Sequence, residues 1–366
     1  MALRKIWRLL LIVPGIVLLL AGGAVLFLFL PRTGYPVPAT LTDTADEFNI
    51  LLIGKDARAL NPAQDHGGRT RIPREKIAHS DIVIVAHLNF KLNRLNLFAL
   101  PRDLLVEVPG ITNAATPTDF HRMEKLTHTF ALGGAPLLRR TVENLLGIRI
   151  HRFIALDFDT FRMLFAFITR FIGPVRLGGL QLCDPDQALK FVRQRNHLKY
   201  DDLDRCRNTL NFIKTIVWRL WPLTGTRAGD LLIKRFFAII GTDTDLSPAE
   251  AKYLLSRLRQ NRFTPDRMEL VVLVSEGRPV TLDRYTMTLS CYLPIYPEME
   301  KQVRRYLADD DRVKALDFMT QQPYAWPDYL TREYDLLPEY NSDTIERREL
   351  IRKIIQLALP APESGI

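Results

Sequence analysis

"DIVIVAHLNFKLNRLNLFALPRD", residues 81–103, decides the fold. "DIVIVAHLNF" (81–90) is rich in β-branched residues, and "RLNLFALP" (94–101) alternates apolar with polar. "KLN" (91–93) is the short connection between them. Two such runs so joined predict an antiparallel hairpin. Its centre falls near residue 92, which sets Asp81 opposite Arg102, with Asp103 just beyond. Upstream, "FNILLIG" (48–54) ends at Gly54 and reads as a buried strand, with Asp56 past its end. If that strand pairs antiparallel with its neighbour, Asp56, Asp81 and Arg102 share one sheet end. Two carboxylates beside an arginine suit Mg²⁺ plus phosphate, because Mg²⁺ takes one or two carboxylates and completes its shell with water and phosphate oxygens. The plainer reading is that the aspartates are exposed turn residues and that Arg102–Asp103 merely ends a strand.

Outward from the hairpin, strands alternate with helices. "GGAPLLRRTVENLLG" (133–147) has helical apolar spacing and a terminal glycine, and "HRFIALDF" (151–158) reads as a strand. "DTFRMLFAFITRFIG" (159–173) is a very apolar helix. "DPDQALKFVRQR" opens with Asp184 as cap, Pro185 in the first turn and Gln187 as its capping-box partner. Helices follow at 208–221, 226–240 and 248–260, and a late strand at 267–274. The pattern predicts an α/β domain: a central mixed sheet flanked by helices. Past about residue 290 proline, tyrosine and charge dominate, with an amphipathic helix near 343–358.

The chain of 366 residues is 47% hydrophobic and 25% charged, with a formal net charge of +9, which favours an anionic partner. Residues 9–30 carry no charge, long enough for one membrane span, and Arg4, Lys5 and Arg8 precede them. These features predict a single-pass anchor in the cell membrane, with the N-terminus cytoplasmic and the rest of the chain extracytoplasmic. A cleaved signal peptide is the competing reading. Nucleic acid is not an expected partner for a chain so placed. "PRTGYPVPATLTDTADE" (31–47), with three prolines, reads as a linker. Of three cysteines, Cys183 and Cys206 flank a charged run and are the best candidate disulfide pair, with unpaired buried thiols as the alternative.

That run, "FVRQRNHLKYDDLDRCR" (191–207), holds four arginines, one lysine and three aspartates. Arg193 and Arg195 converge only if the helix stops between them. Asp202 or Asp204 then caps a second helix with Arg205 in its first turn. A helix N-terminus with two or three guanidiniums grips a pyrophosphate. A solvated, salt-bridged surface is the alternative.

"NILLIGKDAR", "HSDIVIVAHLNFKLNRLNLFALPRDLLVEVPG", "KLTHTFALGG", "TVENLLGI", "LDFDTF" and "ALKFVRQR…DDLDRCR" together resemble the LytR-CpsA-Psr (LCP) family over roughly residues 47–220. The resemblance implies an α-β-α domain with an apolar pocket. It also implies a membrane-anchored, Mg²⁺-dependent phosphotransferase, with Mn²⁺ able to stand in for Mg²⁺. Such enzymes move a glycopolymer from a polyprenyl pyrophosphate to a cell-wall acceptor such as peptidoglycan through a phosphodiester bond. By motif match, Asp56 and Asp81 hold the metal. Arg102, Arg193, Arg195 and Arg205 bind the pyrophosphate, joined by Arg58. Asp202 orients the arginines, and Lys125 lies near the head group. The apolar helix around Phe161–Phe171 helps line the lipid pocket, or is plain core. His79, Thr127 and Asn208 depart from the family pattern. A non-enzymatic polyprenyl-pyrophosphate-binding envelope regulator and a lipid pyrophosphatase are the competing functions. The absence of a GxxxxGK[ST] loop weakens a nucleotide-dependent version of the latter. The expected organisation is anchor 1–31, linker 32–46, catalytic domain 47–289 and a C-terminal extension 290–366.

Overall fold

The computed structural model describes residues 28–30, 35–41, 46–56, 78–109, 123–177, 179–194, 201–281 and 288–307. Five strands form the central sheet in the order β6-β1-β2-β3-β9. They are β1 (Glu47–Asp56), β2 (His79–Asn89), β3 (Arg94–Leu100), β6 (Arg152–Leu156) and β9 (Met268–Val272). β1 and β2 are antiparallel, as are β2 and β3, while β6 runs parallel to β1 and β9 parallel to β3. The sheet is therefore mixed: β1, β3, β6 and β9 run one way and β2 the other. Three two-stranded sheets accompany it: β4 (Leu105–Glu107) with β5 (Met123–Lys125), β7 (Val175–Leu177) with β8 (Leu180–Leu182), and β10 (Ser275–Thr281) with β11 (Thr288–Pro294).

The hairpin pairs Asn89 with Arg94 and Val83 with Leu100, the register expected from its centre. Asn93 makes the turn in the left-handed region at φ 54°, which asparagine tolerates, and Asn89 Oδ1 accepts the Leu92 N–H at 2.8 Å.

Among the described residues seven α-helices surround the sheet: α1 (Leu126–Leu146), α2 (Phe158–Ile172), α3 (Pro185–Arg193), α4 (Asp201–Leu220), α5 (Arg227–Ile240), α6 (Pro248–Gln260) and α7 (Tyr296–Leu307). Their starts follow capping chemistry. Asp157 accepts from Thr160 N, Asp184 from Asp186 N and Gln187 N, and Ser247 with Glu250 completes a capping box. Two starts differ from the sequence expectation. α1 begins at Leu126, because Gly133 and Gly134 break one helical stretch in two and do not begin it; Gly134 sits at φ 64°, where other residues are strained. α4 begins at Asp201, so the charged "DDLDRCR" is helix and part of it is buried.

One large core links Phe48, Leu51, Val83, Phe98 and Leu138 to Met299, Val303 and Tyr306. The packed body thus continues to Leu307, well past residue 289. α7 buries residues spaced 299, 303, 306 and 307, a helical stripe among exposed charges. Part of the segment read as linker is also docked. Leu41 is buried, Tyr35 Oη donates to Asp230 Oδ1 at 2.7 Å, and Thr40 Oγ1 donates to Glu250 Oε1 at 2.7 Å. Among the described residues no helix is long and apolar enough to cross a membrane. The uncharged run 9–30 lies almost wholly outside them, as does the helix expected near 343–358. Cys183 is exposed and Cys206 buried, and both thiols are free; the expected pair does not form.

Glu250 offers a test of this packing. Its carboxylate is 2% exposed and accepts from Arg152 Nη2 at 2.5 Å and from Ser247 N at 2.7 Å, besides Thr40. Burial alone would raise its pKa, but the hydrogen bonds from Arg152, Ser247 and Thr40 outweigh it and hold the pKa at about 2. A depressed acid contributes stability that is complete above its unfolded pKa, near 4.5, and is lost as pH falls toward 2. Stability of the natural chain, read from urea midpoints, is expected to fall between pH 5 and pH 2. Glu250→Gln should lower stability at pH 7 and flatten that slope. Parallel pH profiles for the two proteins would contradict the assignment.

Candidate active site

The directions of the strands gather the site. The C-terminal ends of β1, β3, β6 and β9 and the start of β2 lie at one end of the sheet, where α/β folds place ligands. Asp56 ends β1 opposite His79, after an irregularity at Gly54/Lys55. Asp81 and Arg102 extend the hairpin register by two residues, and Arg102 Nη1 donates to Asp81 Oδ1. Asp81 is only 7% exposed, which corrects the expectation of an exposed strand end: the arginine and the layers above it cover the carboxylate.

Behind this edge stands a second tier. Asp202 Oδ1 accepts from Arg205 Nε at 2.8 Å and Nη2 at 2.6 Å, and its Oδ2 accepts from the Arg102 backbone N–H at 3.2 Å. Arg205 Nη1 donates to the Asp81 carbonyl at 2.7 Å. Both side chains are buried. Burial would lower the Arg205 pKa, but the Asp202 carboxylate outweighs it and holds the guanidinium above its ordinary value. Arg205 therefore clamps Asp202 to the start of β2. It is not among the residues lining the cavity described below.

Lys125 Nζ donates to Asp103 Oδ1 at 3.0 Å, and Arg102 Nε lies 3.5 Å from Asp103 Oδ2. Backbone bonds from Leu126 N to Leu104 O and from Thr127 N to Arg102 O, each 2.8 Å, pin the start of α1 to this rim. Arg193 is the last residue of α3 and is exposed. Its guanidinium lies 4.2 Å above the Phe158 ring, and Phe158 follows the end of β6 at the same edge. Arg58 and Arg195 lie outside the described residues.

A cavity of about 360 Å³ opens from the edge into the space between sheet and helices. Leu52, Ile82, Ile84, Ile154 and Leu156 floor it, and Phe161, Phe165, Ile168, Phe212, Val217 and Phe236 roof it from α2, α4 and α5. Asp81, Asp157, Arg193 and Thr209 are its polar lining residues. The apolar helix is thus partly cavity wall, through Phe161, Phe165 and Ile168. A chamber of this kind suits an apolar ligand, with Asp81 and Arg193 as charged groups in its lining.

Asp56 and Asp81 are hard oxygen donors. Among the described residues no group of three or more His, Cys, Asp or Glu could hold a metal ion. Two such carboxylates fit a cation that completes its shell with water and phosphate, as Mg²⁺ does.

Sequence reasoning missed three partners. Glu124 Oε1 lies 2.7 Å from His128 Nδ1, and the His128 ring is 5.2 Å from that of His79. Burial first, then the neighbouring His128, pushes the His79 pKa down against the pull of Asp81 and Asp56. The i, i+4 spacing of Glu124 and His128 was the available signal. Phe158, under Arg193, gave none. Cys291, fully buried, has its pKa pushed up to about 12 by burial and is inert.

A family model described as the LytR_cpsA_psr family matches residues 34–168. TagU of Halalkalibacterium halodurans, named a polyisoprenyl-teichoic acid–peptidoglycan teichoic acid transferase, is 28% identical over 200 residues, which is 51% of this chain and 58% of that protein. TagT of Bacillus subtilis, named for the same reaction, is 32% identical over 116 residues, 32% of this chain and 30% of that one. The chain thus spans at most 58% of the length of these curated relatives. Among solved structures, gbs0355 from Streptococcus agalactiae superposes with a TM-score of 0.55 at 17% identity, covering 82% of this chain and 99% of that one. B. subtilis TagV does so with a TM-score of 0.51 at 18% identity, covering 76% and 99%. At those identities the likeness is one of fold. The family match runs from the segment before β1, through the three central strands, into α2.

Proposed function

We propose that this protein is a membrane-anchored, Mg²⁺-dependent phosphotransferase that moves a glycopolymer from a polyprenyl-pyrophosphate carrier to peptidoglycan. The observation that carries the reading is the apolar cavity with Asp81 and Arg193 among its lining residues. A polyprenyl chain matches the Phe- and Ile-lined chamber, and a pyrophosphate matches an edge with Arg102 and Arg193. The names of the curated relatives point to the same donor and acceptor classes.

In this reading an acceptor hydroxyl attacks the phosphorus that carries the glycan, in line with the bridging oxygen. The new P–O bond forms as the bridging P–O bond breaks. The products are the glycan phosphodiester, polyprenyl phosphate and a proton. Asp56 and Asp81 would hold the cation, which when bound neutralises charge on the pyrophosphate oxygens. Arg193, exposed at the cavity wall, binds phosphate oxygens while Phe158 holds its plane. Were Asp81 to hold the cation, Arg102, now paired with it, would be available to bind phosphate oxygens. Asp202 and Arg205 keep the edge in register. The anchor is the uncharged run 9–30, which leaves the domain outside the membrane.

Purified full-length chain with a synthetic lipid-linked glycan tests this. Polyprenyl phosphate is expected to appear only when peptidoglycan fragments and Mg²⁺ are both supplied. Release without acceptor would instead indicate a pyrophosphatase. Tight donor binding without release under any condition would indicate a binding protein.

A further inference from the structure

We infer that the face built by α2, the end of α4 and α5 seats on an anionic lipid bilayer. Ten of the 15 residues of α2 are apolar, yet it buries only Thr160, Leu164 and Phe165. Met163 is 52% and Phe171 57% exposed, and Phe167 packs edge-on against Phe171 at 5.1 Å. Spaced four apart, the three make one outward stripe. Arg219 Nη2 donates to the Ile172 carbonyl, which joins the end of α4 to the end of α2 and brings up Trp218, 53% exposed. α5 packs on α2 as well and carries Leu231, 57% exposed. The inner faces of these helices, through Ile168, Val217 and Phe236, line the cavity.

The charges around this stripe are one-sided. Arg170, Arg176, Lys234 and Arg235 are exposed and pair with no acid among the described residues. Arg162, toward the other end of α2, is instead tied to Asp159 and Asp186. Exposed aromatic and aliphatic groups ringed by free cations match the interface of an anionic membrane, where each cation near the surface adds to the attraction. The chain's route agrees. Tyr35 is bonded to Asp230, the neighbour of Leu231, and the uncharged run ends at residue 30. Five residues reach at most about 18 Å, so a membrane-embedded run holds this corner of the domain near the bilayer.

The inference rests on the anchored reading for that last step. Its test needs neither donor nor turnover, so its failure and that of the transferase reading are told apart. Full-length chain carrying Cys183→Ser would receive a single cysteine by Met163→Cys, Phe171→Cys or Leu231→Cys, labelled with an environment-sensitive dye. Leu92→Cys, 47% exposed in the β2–β3 loop, is the reference. After reconstitution into phosphatidylglycerol-containing vesicles, acyl-brominated lipid is expected to quench the three face labels at least twofold. The Leu92→Cys label should stay unquenched. Combining Arg170→Glu, Lys234→Glu and Arg235→Glu should abolish the quenching. Face labels quenched no more than the reference would overturn the inference, as would quenching unchanged in purely neutral vesicles. So would face labels buried only by contact with a second copy of the chain.

Discussion

Asp202→Ala is expected to destabilise the protein by about 3–5 kcal/mol, the loss typical of removing one partner from a buried ion pair. Asp202 satisfies two nitrogens of Arg205 and the backbone N–H of Arg102. Its removal leaves a guanidinium, 3% exposed, without its counter-ion. Urea unfolding of the natural and variant chains measures this directly. Asp202→Leu combined with Arg205→Met should recover much of the loss, since the pair is compensated when both charges go. A single-variant loss below about 1 kcal/mol would show that the pair is not structural. The same geometry changes what Arg205→Lys can mean. An ammonium cannot serve both Asp202 and the Asp81 carbonyl in the planar arrangement Arg205 uses. Lost transfer in that variant should therefore come with lost stability, and appear in kcat more than in KM.

Asp81→Asn is expected to reduce transfer by a factor of at least about 100, the order seen when a group stabilising developing charge is removed. The change keeps the size of the side chain and removes its charge, so Arg102 loses its ion pair with Asp81 and keeps that with Asp103. Asp56→Asn should cause a comparable loss in transfer with a smaller loss in stability, since Asp56 is only partly buried at the end of β1. Transfer rates measured across a Mg²⁺ series, alongside melting curves, separate the two effects. Natural rates in either variant at limiting Mg²⁺ would remove that aspartate from the metal assignment.

Much of the candidate site could be read from the chain because it depends on local pairing. A short connection between two β-type runs determines which residues oppose each other, and that alone placed Asp81 near Arg102. Capping chemistry likewise located the start of α3 at Asp184. What stayed hidden depends on tertiary partners. The segment "DDLDRCR" is polar and looks like surface, and only the backbone of Arg102 and Asp81 explains why Asp202 and Arg205 are buried. α7 carries a helical apolar stripe, but the charges between its members obscured it. The parallel pairing of β9 with β3 joins segments far apart in sequence, and no local signal announces it.

That pairing has a kinetic consequence. Leu95 must wait for Met268 before the outer side of β3 finds its strand partner. The opposite edge closes earlier, when Ile50 meets Arg152. As the chain emerges from its N-terminus, "RLNLFAL" presents a row of unpaired backbone groups on an apolar strand through most of synthesis. Such edges recruit other chains, and contacts this distant in sequence form slowly. A chain cut anywhere between β6 and β9 keeps that edge bare for good and is expected to aggregate, even though every residue of the hairpin is present.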